Sequence, residues 1–194
     1  MGKTVSALKA KGYEVVTVKN GAEALEKIKQ IIPPGATVMN GSSVTLEQIG
    51  YLDYLNSGKH GWNDLHAGVV AEADPAKRTA LRKQASLSDY YLGSVHALME
   101  NGEFIVASNT GSQLPHIVFT STNLIFVVST KKIVADFNAG MKRLEEIVVP
   151  LENQHMLEKF GRGTSLNKIV IFKGESPFLG RKIHFILVNE DLGY

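Results

Sequence analysis

The chain has 194 residues, 44% of them hydrophobic and 21% charged, so it can bury a full core and has the usual size of one domain. Its 21 basic and 19 acidic residues are dispersed, and without a basic stripe we expect no nucleic-acid partner. The lack of cysteine excludes disulfides, thiolate metal sites and protein-ligated iron–sulfur clusters. No apolar stretch reaches the roughly 18 residues of a membrane span and no secretory signal is present, so a cytoplasmic protein is expected.

The first part of the chain alternates between helical and strand-like segments. KTVSALKAKGY predicts a helix that stops at Gly12, and the β-branched run YEVVTV predicts a strand at Tyr13–Val18. GAEALEKIKQIIPPG predicts an amphipathic helix that ends at Pro33-Pro34, and ATVM predicts a buried strand at Ala36–Met39. Because the connections are short, this order predicts adjacent parallel strands covered by helices, an α/β layout.

The rest of the chain continues this mixture. A surface helix is predicted after Asp74, and the Asn-Gly pair in SVHALMENGEFIVAS predicts a β-hairpin. NLIFVVS predicts a fully buried strand, and KKIVADFNAGMKRLEEIVV predicts a core-packed helix from Ile133 to Pro150. NKIVIFKG and RKIHFILVNE predict two joined strands, antiparallel and near a sheet edge.

The segment MNGSSVTLEQIG joins a predicted strand to a predicted helix. Thr45 fits the N-cap of a capping box, which leaves Asn40, Gly41, Ser42 and Ser43 as the turn before the helix. Free backbone N–H groups, hydroxyls and a positive helix terminus would meet there, an environment that suits a phosphate or carboxylate. The alternative is an ordinary tight turn before a well-capped helix.

A second candidate site is the hairpin turn Glu100-Asn101-Gly102. Glu100 could act as a nucleophile or general base on a rigid turn, or it could be a solvated acid of the kind that such turns usually carry. Small polar residues also follow the hairpin, and if they face the first loop the two segments would line one pocket. These residues are Ser108, Asn109, Thr110, Gly111, Ser112 and Gln113.

Charged and aromatic residues elsewhere give weaker signals. Lys131 and Lys132 precede the helix predicted from Ile133 and could meet an anionic ligand, or be solvated; we select Lys131 as the candidate contact. The six histidines form no metal signature, and we predict neither a metal nor a cofactor. HGWNDLHAG, around Trp62, could be a lid or a subunit contact, which leaves a homo-oligomer open.

Three separated segments resemble the lactate-utilisation domain family, known as LUD domain proteins. They are LKAKGYEVVTVKNGAEALEKIKQIIPPGATVMNGSSVTLEQIG, ENGEFIVASNTGSQLPHIVF and KKIVADFNAGMKRLEEIVVPLEN, which span roughly residues 5 to 155 in the right order. The resemblance implies a three-layer α/β/α fold with a mostly parallel sheet and antiparallel additions. That fold is shared with glucosamine-phosphate isomerase, ribose-phosphate isomerase and the CoA transferases.

The resemblance also implies a link to the oxidation of lactate to pyruvate, in which sister subunits carry iron–sulfur clusters. The leading hypothesis is a single-domain accessory protein, residues 1–194, that binds a small anionic ligand at residues 40–45 with help from Glu100 and residues 108–113. Glu100-Asn101-Gly102 also resembles the CoA transferase element whose glutamate forms an acyl-enzyme, although Met99 replaces the usual serine. An enzyme using Glu100, as a CoA transferase or a sugar-phosphate isomerase, is therefore one alternative, and a small-ligand sensor is another.

Overall fold

The computed structural model describes all 194 residues and contains ten strands and eight α-helices. The strands are β1 Glu14–Val18, β2 Thr37–Asn40, β3 Asn63–Asp64, β4 Tyr90–Gly93, β5 Ala97–Met99, β6 Phe104–Ser108, β7 Asn123–Ser129, β8 Ile133–Val134, β9 Lys168–Phe172 and β10 Lys182–Val188. The helices are α1 Gly2–Ala10, α2 Gly21–Ile31, α3 Val44–Gln48, α4 Tyr51–Asn56, α5 Leu65–Ala71, α6 Pro75–Gln84, α7 Phe137–Arg143 and α8 Val149–Phe160. None of these helices is long and apolar enough to cross a membrane.

The strands form two sheets. The main sheet has six parallel strands in the order β1-β10-β7-β4-β2-β3. The smaller sheet has the order β8-β5-β6-β9, in which β6 pairs antiparallel with both β5 and β9. A mostly parallel sheet with antiparallel additions, as the sequence predicted, is therefore confirmed.

Both faces of the main sheet are buried. Residues of α2, α3 and α4 cover one face, and α1, α5 and the smaller sheet cover the other, which gives an α/β/α arrangement. The far side of the smaller sheet packs against the segment that joins α7 to α8. The central strands β7 and β10 are apolar at almost every position because each side chain, on either face, meets a covering layer.

Two sequence predictions about strand neighbours are wrong. β1 and β2 are parallel but not adjacent, because β10, β7 and β4 lie between them. β9 and β10 do not form an antiparallel pair: β9 is the edge of the smaller sheet, whereas β10 lies inside the main sheet. A short connection favours neighbouring strands but does not require them. The strands that are apolar on both faces lie in the middle of the sheet, because both of their faces must be covered, whatever their position in the sequence.

The helix predicted from Ile133 to Pro150 is also different. Ile133 and Val134 form β8, and the helix begins after Asp136, whose carboxylate accepts a hydrogen bond from the Ala139 N–H. It does not end at Pro150, since residues 144–148 form a π-helical turn that continues into α8. Proline is compatible with the first turn of α8 because its missing N–H needs no partner there.

A second π-helical turn, His116–Thr120, depends on a single buried arginine. Arg181 donates hydrogen bonds of 2.9–3.1 Å to the carbonyls of His116, Ile117, Val118 and Ser121, and its side chain is only 4% exposed. Its guanidinium also lies 2.8 Å from the Glu175 carboxylate. One side chain thus satisfies carbonyls from two consecutive turns of backbone.

We expect Arg181→Met to lower the free energy of unfolding by about 2–3 kcal/mol, because it leaves a buried carboxylate and several carbonyls without partners. Urea denaturation measures the loss. The matched control is Arg162→Met, since Arg162 is exposed and forms no ion pair; a loss of equal size in that variant would contradict the assignment.

Candidate functional site

A cleft of about 280 Å³ lies at the carboxyl edge of the main sheet. The loops after β2, β4 and β7 and the segment after β10 form one side, and the smaller sheet with residues 144–156 forms the other. Parallel α/β sheets bind ligands at this edge because several loops converge there. Polar lining residues include Gly41, Ser42, Ser43, Thr45, Ser94, His96, Ser108, Asn109, Thr110, Ser112, Gln113, Lys132, Glu152 and Thr164.

The loop after β2 differs in detail from the prediction. Ser43, not Thr45, is the N-cap of α3, and its Oγ accepts a hydrogen bond from the Leu46 N–H. Thr45 is buried inside α3. The backbone N–H groups of Ser42 and Ser43 form no hydrogen bond to another group of the chain. Because α3 is barely more than one turn long, these amides and hydroxyls, rather than a helix terminus, are what the loop offers to a ligand.

Lys132 is the charged centre of the cleft. It is 4% exposed, and its Nζ donates to Thr45 Oγ1 at 3.0 Å and to Ser94 Oγ at 3.1 Å. No carboxylate pairs with it. Burial, reinforced by Arg143 and Lys131, lowers the pKa of Lys132 to about 7. Lys131, which the sequence analysis selected, is instead exposed and does not line the cleft.

His96 gives the cleft a fixed hydrogen-bond donor. Its Nδ1 accepts a hydrogen bond from the Ala107 N–H at 3.1 Å, so the neutral ring carries its proton on Nε2. Burial, together with Lys132 and Arg143, lowers the pKa of His96 to about 4, which keeps the ring neutral at neutral pH. Arg143 Nε donates to the His96 carbonyl and holds this residue in place.

Gly41 and Gln113 connect the first loop to the loop after β6. A Cβ at residue 41 would lie 2.5 Å from the Tyr91 hydroxyl, so only glycine permits this close approach. Tyr91 Oη donates to Gln113 Oε1 at 3.3 Å, and Gln113 Nε2 donates to the Ala107 carbonyl at 3.0 Å. The two polar loops that the sequence analysis singled out therefore meet at one cleft.

Residues 144–156 give the opposite side an apolar part and the cleft's only acidic side chain. Leu144, Val148 and Val149 contribute apolar surface from the π-helical turn and the start of α8. Burial raises the pKa of Glu152 above its ordinary value. Tyr194 also lines the cleft. A ligand would thus meet the methyl groups of this segment as well as the hydroxyls and the cation of the rest of the lining.

Glu100, Asn101 and Gly102 do not reach the cleft, which corrects their expected placement opposite the first loop. They form the turn of the β5–β6 hairpin, whose other end carries His96 and Ser108. His96 and Glu100 are separated by the length of β5, about 13 Å at a rise of ~3.3 Å per residue. The Glu100 carboxylate is exposed and lies 2.8 Å from Lys3 Nζ, and this hydrogen bond lowers its pKa.

The structure thus brings together one part of the predicted set and adds to it. Nine predicted residues line the cleft: Gly41, Ser42, Ser43, Thr45, Ser108, Asn109, Thr110, Ser112 and Gln113. Six do not: Asn40, Glu100, Asn101, Gly102, Gly111 and Lys131. Sequence reasoning missed Ser94, His96 and Glu152, and it named Lys132 as a possible anion contact but selected Lys131 instead. The one available signal was that Ser94 and His96 directly follow β4, at the same sheet edge as the first loop.

Asn40 remains notable although it lies beneath the cleft. It is buried at the end of β2, where its Nδ2 donates to the Gly41 carbonyl at 3.2 Å, and its Oδ1 has no partner. It therefore supports the turn from below. No group of three or more histidine, aspartate or glutamate side chains that could hold a metal ion is present.

The fold and the cleft define an α/β protein with a ligand-sized opening at its carboxyl edge. A family model for the LUD domain matches residues 1–167, and the chain therefore belongs to the LUD domain family. Both β9 and β10 lie beyond the matched range, although β10 is one of the central strands of the main sheet.

The fold is also found among solved structures. One of them is the crystal structure of a DUF162 family protein from Deinococcus radiodurans, to which the chain is similar with a TM-score of 0.58 and 12% identity. The match covers 97% of this chain and 95% of the other. At that identity the likeness concerns the fold alone. No curated protein matches the chain.

Proposed function

We propose that this LUD domain protein binds the carboxylate of a small organic acid in the cleft and acts as a cluster-free accessory component in the oxidation of lactate, or a related acid, to pyruvate. The observation that carries the ligand assignment is Lys132, a buried cation that has hydroxyl partners but no carboxylate. A buried charge without a counter-ion is costly, and an anionic ligand would supply the missing one.

The surroundings of Lys132 support an anion over a cation. Arg143 lies close enough to lower the pKa of Lys132, and His96 presents an N–H donor. Ser42 and Ser43, whose backbone N–H groups have no partner in the chain, line the same opening. Glu152 is the only acidic residue of the lining, and burial raises its pKa because it disfavours the charged form.

The size and polarity of the cleft support a small organic acid. A volume of about 280 Å³ is at the lower end for ligand pockets and is too small for a dinucleotide. The apolar wall formed by Leu144 and Val148 suits a short hydrocarbon portion beside the carboxylate. Lactate and pyruvate have this combination, as do other short acids.

The proposed partners are subunits that carry iron–sulfur clusters. The chain has no cysteine, so it cannot supply thiolate ligands to a cluster of its own. Membership of the LUD domain family supports the link to lactate oxidation. Deletion of the protein is expected to impair growth on lactate, and the tagged protein is expected to co-purify with the cluster-bearing subunits; normal growth together with no co-purification would contradict this role.

We expect the affinity for lactate and pyruvate to fall as the pH rises above about 7. The anion binds the protonated form of Lys132, whose pKa in the ligand-free protein is about 7, so the decrease approaches about tenfold per pH unit until the raised pKa of the complex is reached. Isothermal titration calorimetry measures it, with uncharged lactamide as the control ligand.

Lys132→Arg provides the matched control protein, because arginine stays protonated throughout this range. Its affinity is expected to be independent of pH between 6 and 9, in contrast to wild type. Equal binding of lactamide and lactate, or a pH-independent wild-type affinity, would rule out Lys132 as the anion contact.

A further inference from the structure

We propose that the Nζ of Lys132 condenses reversibly with the carbonyl carbon of a small oxo acid held in the cleft, forming an imine. This inference deepens the proposed function, since it names oxo acids as the class of ligand on which the same cleft acts. It concerns the bond that the ligand forms, whereas the proposed function concerns only its binding.

The position of Lys132 favours such a bond. The residue follows β7 on the short turn Thr130–Lys132, in which Ser129 Oγ accepts a hydrogen bond from the Lys131 N–H. Two of the three Nζ donor positions are occupied by Thr45 and Ser94. These two hydrogen bonds hold the amine in one orientation at the cleft surface. In the neutral amine the remaining position on Nζ is the lone pair, which points away from both hydroxyls. An ion pair with a carboxylate would hold the nitrogen in its protonated form, which has no lone pair to attack a carbonyl, and no such ion pair is present.

The amine is also surrounded by groups that favour its neutral form. A Cβ on Gly193 would come within 2.8 Å of Nζ, which shows how closely the chain covers it. Arg143 from α7, Lys131 from the same turn and burial all lower its pKa to about 7. The other titratable groups of the lining are His96, which is neutral, and Glu152, Tyr91 and Tyr194, whose pKa values are all raised by burial. A large fraction of Lys132 is therefore uncharged and nucleophilic at neutral pH.

The chemistry needs no oxidant or additional reactant. The Nζ lone pair attacks the carbonyl carbon, the carbonyl π electrons move to oxygen, and the proton lost by nitrogen passes to that oxygen to give a carbinolamine. Loss of one water molecule then gives the imine, so amine plus oxo acid equals imine plus water. His96 can donate its Nε2–H to the carbonyl oxygen. Once protonated, the imine keeps a positive charge beside the ligand's carboxylate.

Borohydride trapping tests the proposal on the full-length protein. Wild type is incubated with pyruvate and sodium borohydride, and intact mass and peptide mapping locate any reduced adduct. After reduction we expect one 1-carboxyethyl group, on the peptide that contains Lys132, formed at least about tenfold faster than at any other lysine because an ordinary exposed amine is almost fully protonated at neutral pH. The rate should rise with pH only up to about 7. Lys142→Met, which removes an exposed lysine far along α7, should react like wild type.

The outcomes separate this inference from the proposed function. If calorimetry shows that both pyruvate and propanoate bind but no adduct forms on the Lys132 peptide, the imine proposal is wrong and the anion-binding proposal stands. An adduct at Lys132 without measurable propanoate binding would support the imine and count against the proposed anion site. Adducts spread over exposed lysines would also overturn the inference. Because the decisive measurement uses wild type, it does not depend on any variant folding.

Discussion

Replacing Lys132 with methionine is expected to remove ligand binding and, at the same time, to stabilise the ligand-free protein. Loss of the only buried cation in the cleft should weaken carboxylate binding by about 100-fold or more, as removal of a desolvated charge partner does elsewhere. The same change removes the cost of burying that cation, but it also leaves the Thr45 and Ser94 hydroxyls without a donor. The net expected increase in the free energy of unfolding is about 1–2 kcal/mol.

The pH dependence of that gain has a definite sign. The pKa of Lys132 is about 7 in the folded protein and 10.5 ordinarily, so the unfolded chain binds the extra proton between these values. The burial cost is therefore fully present below about pH 7 and disappears as the pH approaches 10.5. Urea denaturation of wild type and Lys132→Met should show the largest difference at or below neutral pH and convergence at high pH.

Lys131→Met is the adjacent control. Lys131 is exposed, so this variant should change neither affinity nor stability by more than about 0.5 kcal/mol. A destabilised Lys132→Met that still binds lactate would show that Lys132 is a structural residue only. A loss of binding in Lys131→Met alone would favour the residue selected from the sequence.

The second large effect is expected at Phe104, where the two sheets meet. Its ring is fully buried and lies 4.5 Å from Phe172, 5.3 Å from Phe185 and 5.4 Å from Phe126, measured between centroids. Phe172 and Phe104 belong to the smaller sheet, whereas Phe126 and Phe185 belong to the main one. Phe104→Ala is expected to lower the free energy of unfolding by about 3–5 kcal/mol, because the cavity cannot collapse between two sheets.

Phe178→Ala is the control for Phe104→Ala, since it deletes the same side chain at a position that is 96% exposed. Its stability should equal that of wild type within about 0.5 kcal/mol. Equilibrium urea denaturation followed by circular dichroism measures both variants. A loss of less than about 1 kcal/mol in the free energy of unfolding of Phe104→Ala would contradict the packing of the two sheets through this aromatic cluster.

Elements with strong local signals were predictable from the sequence. α6 begins after Asp74, whose carboxylate accepts hydrogen bonds from the Ala76 and Lys77 N–H groups, as the cap and the following proline indicated. β7 has the predicted bounds because a continuous apolar run fits only a strand buried on both faces. In both cases, residues within a few positions of each other decide the outcome.

Neighbouring strands and side-chain direction were less predictable. The sequence showed that residues 41–45 and 108–113 were polar loops at strand ends, and both line the cleft. It did not show which of two consecutive lysines points inward, because that depends on the turn after β7. Nor did it show that the Glu100 turn is at the far end of its hairpin, since a turn signal contains no information about which end meets the main sheet.

The sequence by itself determined the α/β class, the hairpin, most helix and strand positions and the family, because periodicity, caps, turn residues and motif order are properties of contiguous segments. Only the tertiary structure decided that β10 lies inside the main sheet and that Lys132, His96 and Glu152 share one cleft. These residues are far apart along the chain, and their burial and pKa values arise from contacts between elements. The chemistry of the cleft is therefore a consequence of packing, which no local pattern specifies.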